Sequence, residues 1–103
     1  MLEMRGRSKA YTLAVLERGP SYGSPGADAI IWEHGRRNHA LRADGALPIV
    51  CPIVDDTDWC GIGIFERSEE ETARIMDEDP GVAAGVFTYR LHPIMSFPGD
   101  SLP

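Results

Sequence analysis

Two apolar runs of strand length occupy the middle of the chain: residues 47–54 (LPIVCPIV) and 59–65 (WCGIGIF), separated by Asp55-Asp56-Thr57-Asp58. Four polar turn formers between two such runs predict a β-hairpin. Pro48 and Pro52 offer no amide hydrogen, so the first run must be an edge strand or a bulged one. A turn at 55–58 sets Cys51 opposite Ile62 and Cys60 opposite Ile53. The two sulfurs are then diagonal, and a disulfide is not expected. The most constraining feature is the lack of polar alternation. Residues 47–54 are apolar on both faces, and 59–65 carry Trp59 and Phe65 on one side with Cys60, Ile62 and Ile64 on the other. A half-solvated antiparallel strand alternates polar with apolar, so this hairpin calls for cover on both sides.

The flanking segments complete a pattern. Residues 11–17 (YTLAVLE) read as a first strand, with Tyr11, Leu13 and Val15 on one side and Ala14 and Leu16 on the other. Residues 19–26 hold three glycines and two prolines and form a loop. Residues 28–44 predict a helix, capped by Asp28 and closed by Gly45, with Ile30, His34, Arg37/Asn38 and Leu41 on one face. Gly35 inside it costs roughly 1 kcal/mol of helix propensity. A second helix spans 68–78, opened by the pair Ser68 and Glu71 and ended before Pro80. Residues 80–84 form one further helical turn with Asp79 as its cap, Pro80 first and Gly85 closing it. Residues 86–94 make a fourth strand. The order β-α-β-β-α-β is that of an α+β, ferredoxin-like domain, a four-stranded antiparallel sheet with both helices on one face. The domain is expected over 11–95, between a loose arm at 1–10 and a tail at 96–103. Since the helices cover one apolar face only, a second copy packed sheet on sheet is expected on the other, giving a homodimer.

Size and charge narrow the function. At 103 residues there is one domain. Ten Lys and Arg against 16 Asp and Glu leave a net charge of −6, which disfavours nucleic acid and anionic membrane surfaces as partners. No apolar run approaches the roughly 20 residues of a membrane span. The basic residues Arg5, Arg7 and Lys9 precede no apolar secretory segment, so a cytoplasmic location is expected.

Several residues invite chemistry. His34, on the apolar stripe of its helix, is either a half-buried packing residue or a general base. Asp79 is a helix cap by pattern, and a carboxylate has capacity for further donors. Bonded to a ring nitrogen of His34, it would set the tautomer and favour the imidazolium, as in other His–Asp dyads. Cys51 reads as a buried strand thiol, with no neighbouring pattern to activate it. Asp55, Asp56 and Asp58 lack the spacing and the closing Glu of a calcium loop. His39 reads as a surface residue, and neither it nor His92 has further ligands at metal spacing. His92, next but one to Arg90, points into the dimer interior or the pocket. Trp59 and Tyr89 serve either as pocket walls or as packing. No phosphate cradle, dinucleotide fingerprint or metal constellation is present, so no cofactor or metal is expected, and proton transfer is the chemistry left available.

These residues together resemble the YciI family (YCII-related domains) of the dimeric α/β barrel superfamily. The strongest match is Asp79-Pro80-Gly81-Val82-Ala83-Ala84-Gly85-Val86, similar to the family's Asp-Pro-x-x-x-Ala-Gly-aliphatic segment before the last strand. The second is a helix bearing His34, eleven residues before Gly45, followed by Leu47 and Pro52. The resemblance covers roughly residues 11–95. It implies a ferredoxin-like dimer, a pocket between the sheet and the first helix, and a His–Asp pair suspected of catalysis, carried here by His34 and Asp79. It also implies lyase-like chemistry on small aromatic or ring compounds, dehydrochlorination among them. The chain departs from the pattern at Cys51-Pro52 (usually Gly-Pro), at Gly81 (often aromatic) and at Ile75 (an aromatic in the family). Changes at 51 and 81 reshape the pocket. The expected ligand-contacting residues are Cys51, Trp59, Gly81, Tyr89 and His92. The expected activity is cofactor-free lyase or isomerase chemistry on a small, largely apolar ring compound. A non-catalytic homodimer that binds a small molecule or serves as an accessory subunit is the alternative.

Overall fold

A computed structural model describes residues 8–103. The element order is β1 (Lys9–Arg18), α1 (Ala27–Ala43), β2 (Ile49–Pro52), β3 (Trp59–Phe65), α2 (Glu69–Asp77), α3 (Pro80–Ala83) and β4 (Phe87–Ser96). The four strands form one sheet in the order β2-β3-β1-β4, antiparallel at every junction. This is an α+β architecture compatible with the ferredoxin-like arrangement. The proline-bearing strand β2 lies at the edge, where a missing amide hydrogen is tolerated.

The hairpin register follows the expected one. Cys51 pairs with Ile62, and the Ile53 amide donates to the Cys60 carbonyl at 2.9 Å. Both cysteines are free thiols. Other boundaries shift. β1 starts at Lys9 instead of Tyr11, because Lys9 and Ala10 pair with Ser96 and Met95 of a β4 that runs past Ile94. Residues 1–7 of the expected arm lie outside the described residues. At the other end the Asp100 carboxylate accepts from Ser96 Oγ at 2.7 Å and from the Phe97 amide at 3.1 Å, folding the start of the tail into a turn. α1 begins at Ala27 behind a left-handed Gly26 (φ 86°) with no side-chain cap, so Asp28 sits in the first turn instead of before it. There its charge complements the positive end of the helix.

A register shift in β1–β3 decides which side chains face the helices. Leu16 pairs with Gly61 while Glu17 pairs with Trp59, leaving Cys60 as the extra residue of a bulge. The bulge separates Trp59 from Phe65, which strict alternation puts on one side. Trp59 joins Glu17 and Arg90 on the outer face, where the Arg90 guanidinium lies 5.7 Å from the indole centre and its Nε is 2.7 Å from Glu17. Phe65 is buried beneath the helices. The core there comprises Ala14, Leu16, Leu47, Phe65, Met76 and Phe87, with Ala27 and Val86 beside them. On the outer face Leu13, Ile62 and Ile64 are half-buried, and Val15 is only 3% exposed.

Candidate functional site

The site is built where α1 crosses the sheet. Asp79 ends the turn after α2 and caps α3, its Oδ2 accepting from the amides of Gly81 at 2.9 Å and Val82 at 3.2 Å. The sequence pattern predicts a cap bond to Val82 or Ala83. Val82 makes it, whereas the Ala83 amide bonds the Asp79 backbone carbonyl. Both cap bonds fall on Oδ2, so the Oδ1 lobe of the carboxylate is left for another donor. That lobe meets His34, whose Nδ1 lies 2.8 and 2.9 Å from the two carboxylate oxygens. Asp79 is 2% exposed and the His34 side chain 13%.

Burial alone pushes the Asp79 carboxyl up. The hydrogen bond from His34, its positive charge when protonated, and the amides of Val82 and Gly81 outweigh burial, so the carboxyl sits below its ordinary value. On the other side of the ring, the Asn38 amide Nδ2 donates to His34 Nε2 at 3.2 Å. Asn38 follows His34 by one helical turn, the spacing at which side chains meet. Donation into Nε2 leaves the ring proton on Nδ1, facing the carboxylate. The Phe87 ring packs against the imidazole, centroids 4.9 Å apart and planes tilted by 52°. Arg37 ties α1 to the end of α2 by donating to the Ile75 carbonyl at 2.7 Å, and it lies 3.7 Å from Asp79.

A cavity of about 290 Å³ opens beside the imidazole. Its floor is the sheet at Ala14, Gly61 and Gly63, its roof α1 at Ile31, Gly35 and Asn38. The bare backbone at Gly63 also lets Leu47 pack close, since a Cβ there would stand 2.9 Å from its Cδ1. Cys51 and Cys60 also border it. Burial pushes the Cys60 thiol above its ordinary value, which keeps it protonated and a poor nucleophile near neutrality.

The structure brings His34, Asp79 and Cys51 to one place and separates the other expected contact residues from it. Trp59 and His92 belong to the exposed side of the sheet, Trp59 because of the bulge and His92 because it pairs with Leu13, one residue from the inward Ala14. Tyr89 faces the helices but donates to Asp77 at 2.7 Å, and that carboxylate with partial burial pushes the phenol up to about 12. It locks α2 to β4 and is not a cavity wall. Gly81 is buried behind the dyad, where a Cβ would lie 2.5 Å from the Phe87 ring. The missing side chain at 81 therefore makes room for Phe87, not for a ligand. Phe87 and the Asn38–His34 bond are the features that sequence reasoning missed. The helical spacing of His34 and Asn38 was a signal for the second, and nothing local signals the first.

Among the described residues no group of three or more His, Cys, Asp or Glu side chains is placed to hold a metal ion, and no helix is long and apolar enough to cross a membrane. Comparison with known proteins gives no match, either to a family model or to a curated sequence.

Proposed function

We propose that the chain is a YciI-like enzyme that moves a proton on a small, neutral, preferably cyclic organic molecule, by lyase or isomerase chemistry and without a cofactor. His34 takes the proton on Nε2, and Asp79 holds the ring through Nδ1. The observation that carries this reading is the buried His34–Asp79 pair opening onto an apolar cavity. Proton transfer to Nε2 creates an imidazolium with a carboxylate already in place beside it, so little reorganisation accompanies the charge. The apolar walls suit a ring compound and strengthen the electrostatics inside.

In the same reading a second copy covers the outer face, where Leu13, Ile62 and Ile64 form a half-exposed apolar patch. The resemblance to the YciI family supports both parts.

The test is deuterium uptake from D2O into a panel of small uncharged cyclic ketones, lactones and halogenated alkenes, followed by NMR. Wild-type protein should exchange at least one of them. His34→Gln should abolish the exchange, and Asp79→Asn should cut it by about 10²-fold or more, the scale of a mispositioned general base. Exchange absent across the panel, or unchanged in His34→Gln, would leave a binding module in place of an enzyme.

A further inference from the structure

Of the described side chains that line the cavity, only His34 and Asn38 bring a nitrogen to its wall; the rest are apolar groups, thiols and backbone. No Lys, Arg, Asp or Glu is among them. A buried carboxylate or phosphate would find no Lys or Arg there, and the one group that can turn cationic, His34, already has the Asp79 carboxylate beside it, so the burial would be costly. The site therefore suits an uncharged molecule with one polar group to satisfy.

Asn38 decides which polar group. Its Nδ2 rests 3.2 Å from His34 Nε2, the ring atom that Asp79 leaves free. In the proposed reaction Nε2 must receive the proton, so this amide is displaced when substrate binds. A freed N–H at the cavity wall needs an acceptor, and the nearest one is an oxygen on the carbon next to the reacting C–H. Gly35, between the two on the helix, lines the cavity and has open space where a Cβ would be. The substrate's bulk can therefore lie against bare backbone between the two side chains.

We infer that Asn38 is the carbonyl-binding group of the site, and that the substrate class is an uncharged carbonyl compound with a hydrogen on the adjacent carbon. The inference rests on the proton-transfer reading and names its substrate. The step balances as an enolisation. The C–H bond breaks, its proton goes to Nε2, and its electron pair forms the carbon–carbon double bond. The carbonyl π pair moves to oxygen, where the Asn38 N–H stabilises the developing charge. Return of a proton from Nε2 to carbon restores the imidazole.

The probe is 2-tetralone, with tetralin as the same skeleton lacking oxygen. Binding is read by ligand-observed NMR, and exchange by deuterium uptake at the ketone's α-carbon. Asn38→Ala places the best helix former on a helix surface, so it should fold, and circular dichroism checks this. Asn38→Ala should weaken 2-tetralone by roughly fivefold or more, the scale of one lost hydrogen bond, and leave tetralin within twofold of wild type. Asn38→Asp, which keeps the size but offers no N–H, should behave like Asn38→Ala toward the ketone. Equal affinity of wild type and Asn38→Ala for the ketone overturns the inference. Exchange abolished by His34→Gln but untouched by Asn38→Ala also overturns it while sparing the proton-transfer reading. Ketone selectivity that depends on Asn38, without exchange in the wild type, supports Asn38 as the carbonyl group and removes the enzyme. Failure of wild type to bind either probe overturns both.

Discussion

Along the centre of the β1–β3 pair the two faces of the sheet are both apolar and differ in the size of what they carry. Toward the helices stand Ala14, Gly61 and Gly63, paired across the strands as Ala14 with Gly63 and Leu16 with Gly61. Away from them stand Leu13 with Ile64 and Val15 with Ile62. Most sheets distinguish their faces by polarity. Here the centre of the β1–β3 pair distinguishes them by volume, with Phe65 and Phe87 filling the inner face beside it. Small residues under a helix leave a cavity, because the helix backbone cannot sink into the gap. Large branched residues on the open side make a continuous surface suited to another sheet.

The largest expected effect separates the faces by energy. Phe65→Ala, on the buried inner side, should cost about 3–5 kcal/mol, read by urea melts, and the loss should be the same at all protein concentrations. If the outer face is also covered by a second copy, the cost of Ile62→Ala should grow with protein concentration. A cost for Ile62→Ala that does not vary with concentration would break the comparison.

Asp79 gives the next largest. Asp79→Ala strands the buried Gly81 amide, the half-buried Val82 amide and one ring N–H, for an expected loss of about 2–4 kcal/mol. Asp79→Asn keeps an oxygen to cap α3 and should lose about 1 kcal/mol. The pH dependence has a fixed sign. The folded carboxyl sits below its ordinary value of 3.8, so its contribution is fully present above that value and is lost as pH falls through the folded one. Melts of wild type and Asp79→Asn should therefore converge as pH is lowered below about 4. A gap that widens as pH falls below about 4 would contradict the charge assignment.

The outer face is sharpened by Ile62→Lys. Wild type should sediment at twice 11.3 kDa at micromolar concentration. A lysine buried between two sheets should weaken association by about 100-fold, equivalent to about 2–3 kcal/mol, while circular dichroism stays unchanged. A wild type that remains monomeric refutes the covered face outright.

The smallest effect has the opposite sign. Gly35→Ala adds a methyl group where nothing lies within 4 Å, and it should stabilise the protein by up to about 1 kcal/mol. The same methyl narrows the roof of the cavity, so binding of a ring compound such as 2-tetralone should fall. Stability rising while binding holds would show that Gly35 has no part in the site.

What the sequence made legible is what local chemistry determines. The turn at 55–58 sets the hairpin register, Asp79-Pro80 announces a capped turn, and helical spacing puts His34 and Asn38 on one face. The bulge at Cys60 was illegible, because it arises from pairing between β1 and β3, distant in sequence. Without it, Trp59 and Phe65 appear to share a face. For His92 periodicity left two faces open, the outer side or the pocket, because both faces of the strand carry apolar residues, and pairing with Leu13 places it on the outer one. Phe87 escaped because its place against His34 depends on the absence of a side chain at Gly81, a vacancy that has meaning only in three dimensions.

The carboxylate of Asp79 caps the start of α3 with one hand and holds His34 with the other. A descendant that lost the chemistry would still need the aspartate to fold. An aspartate retained at this position among relatives would therefore be no sign of activity. Joint retention of the histidine and the asparagine one turn apart would be the sign, because the backbone makes no demand on either. Loss of function in such a lineage should begin at 34 or 38 and leave 79 untouched, a fossil of the site preserved by the fold.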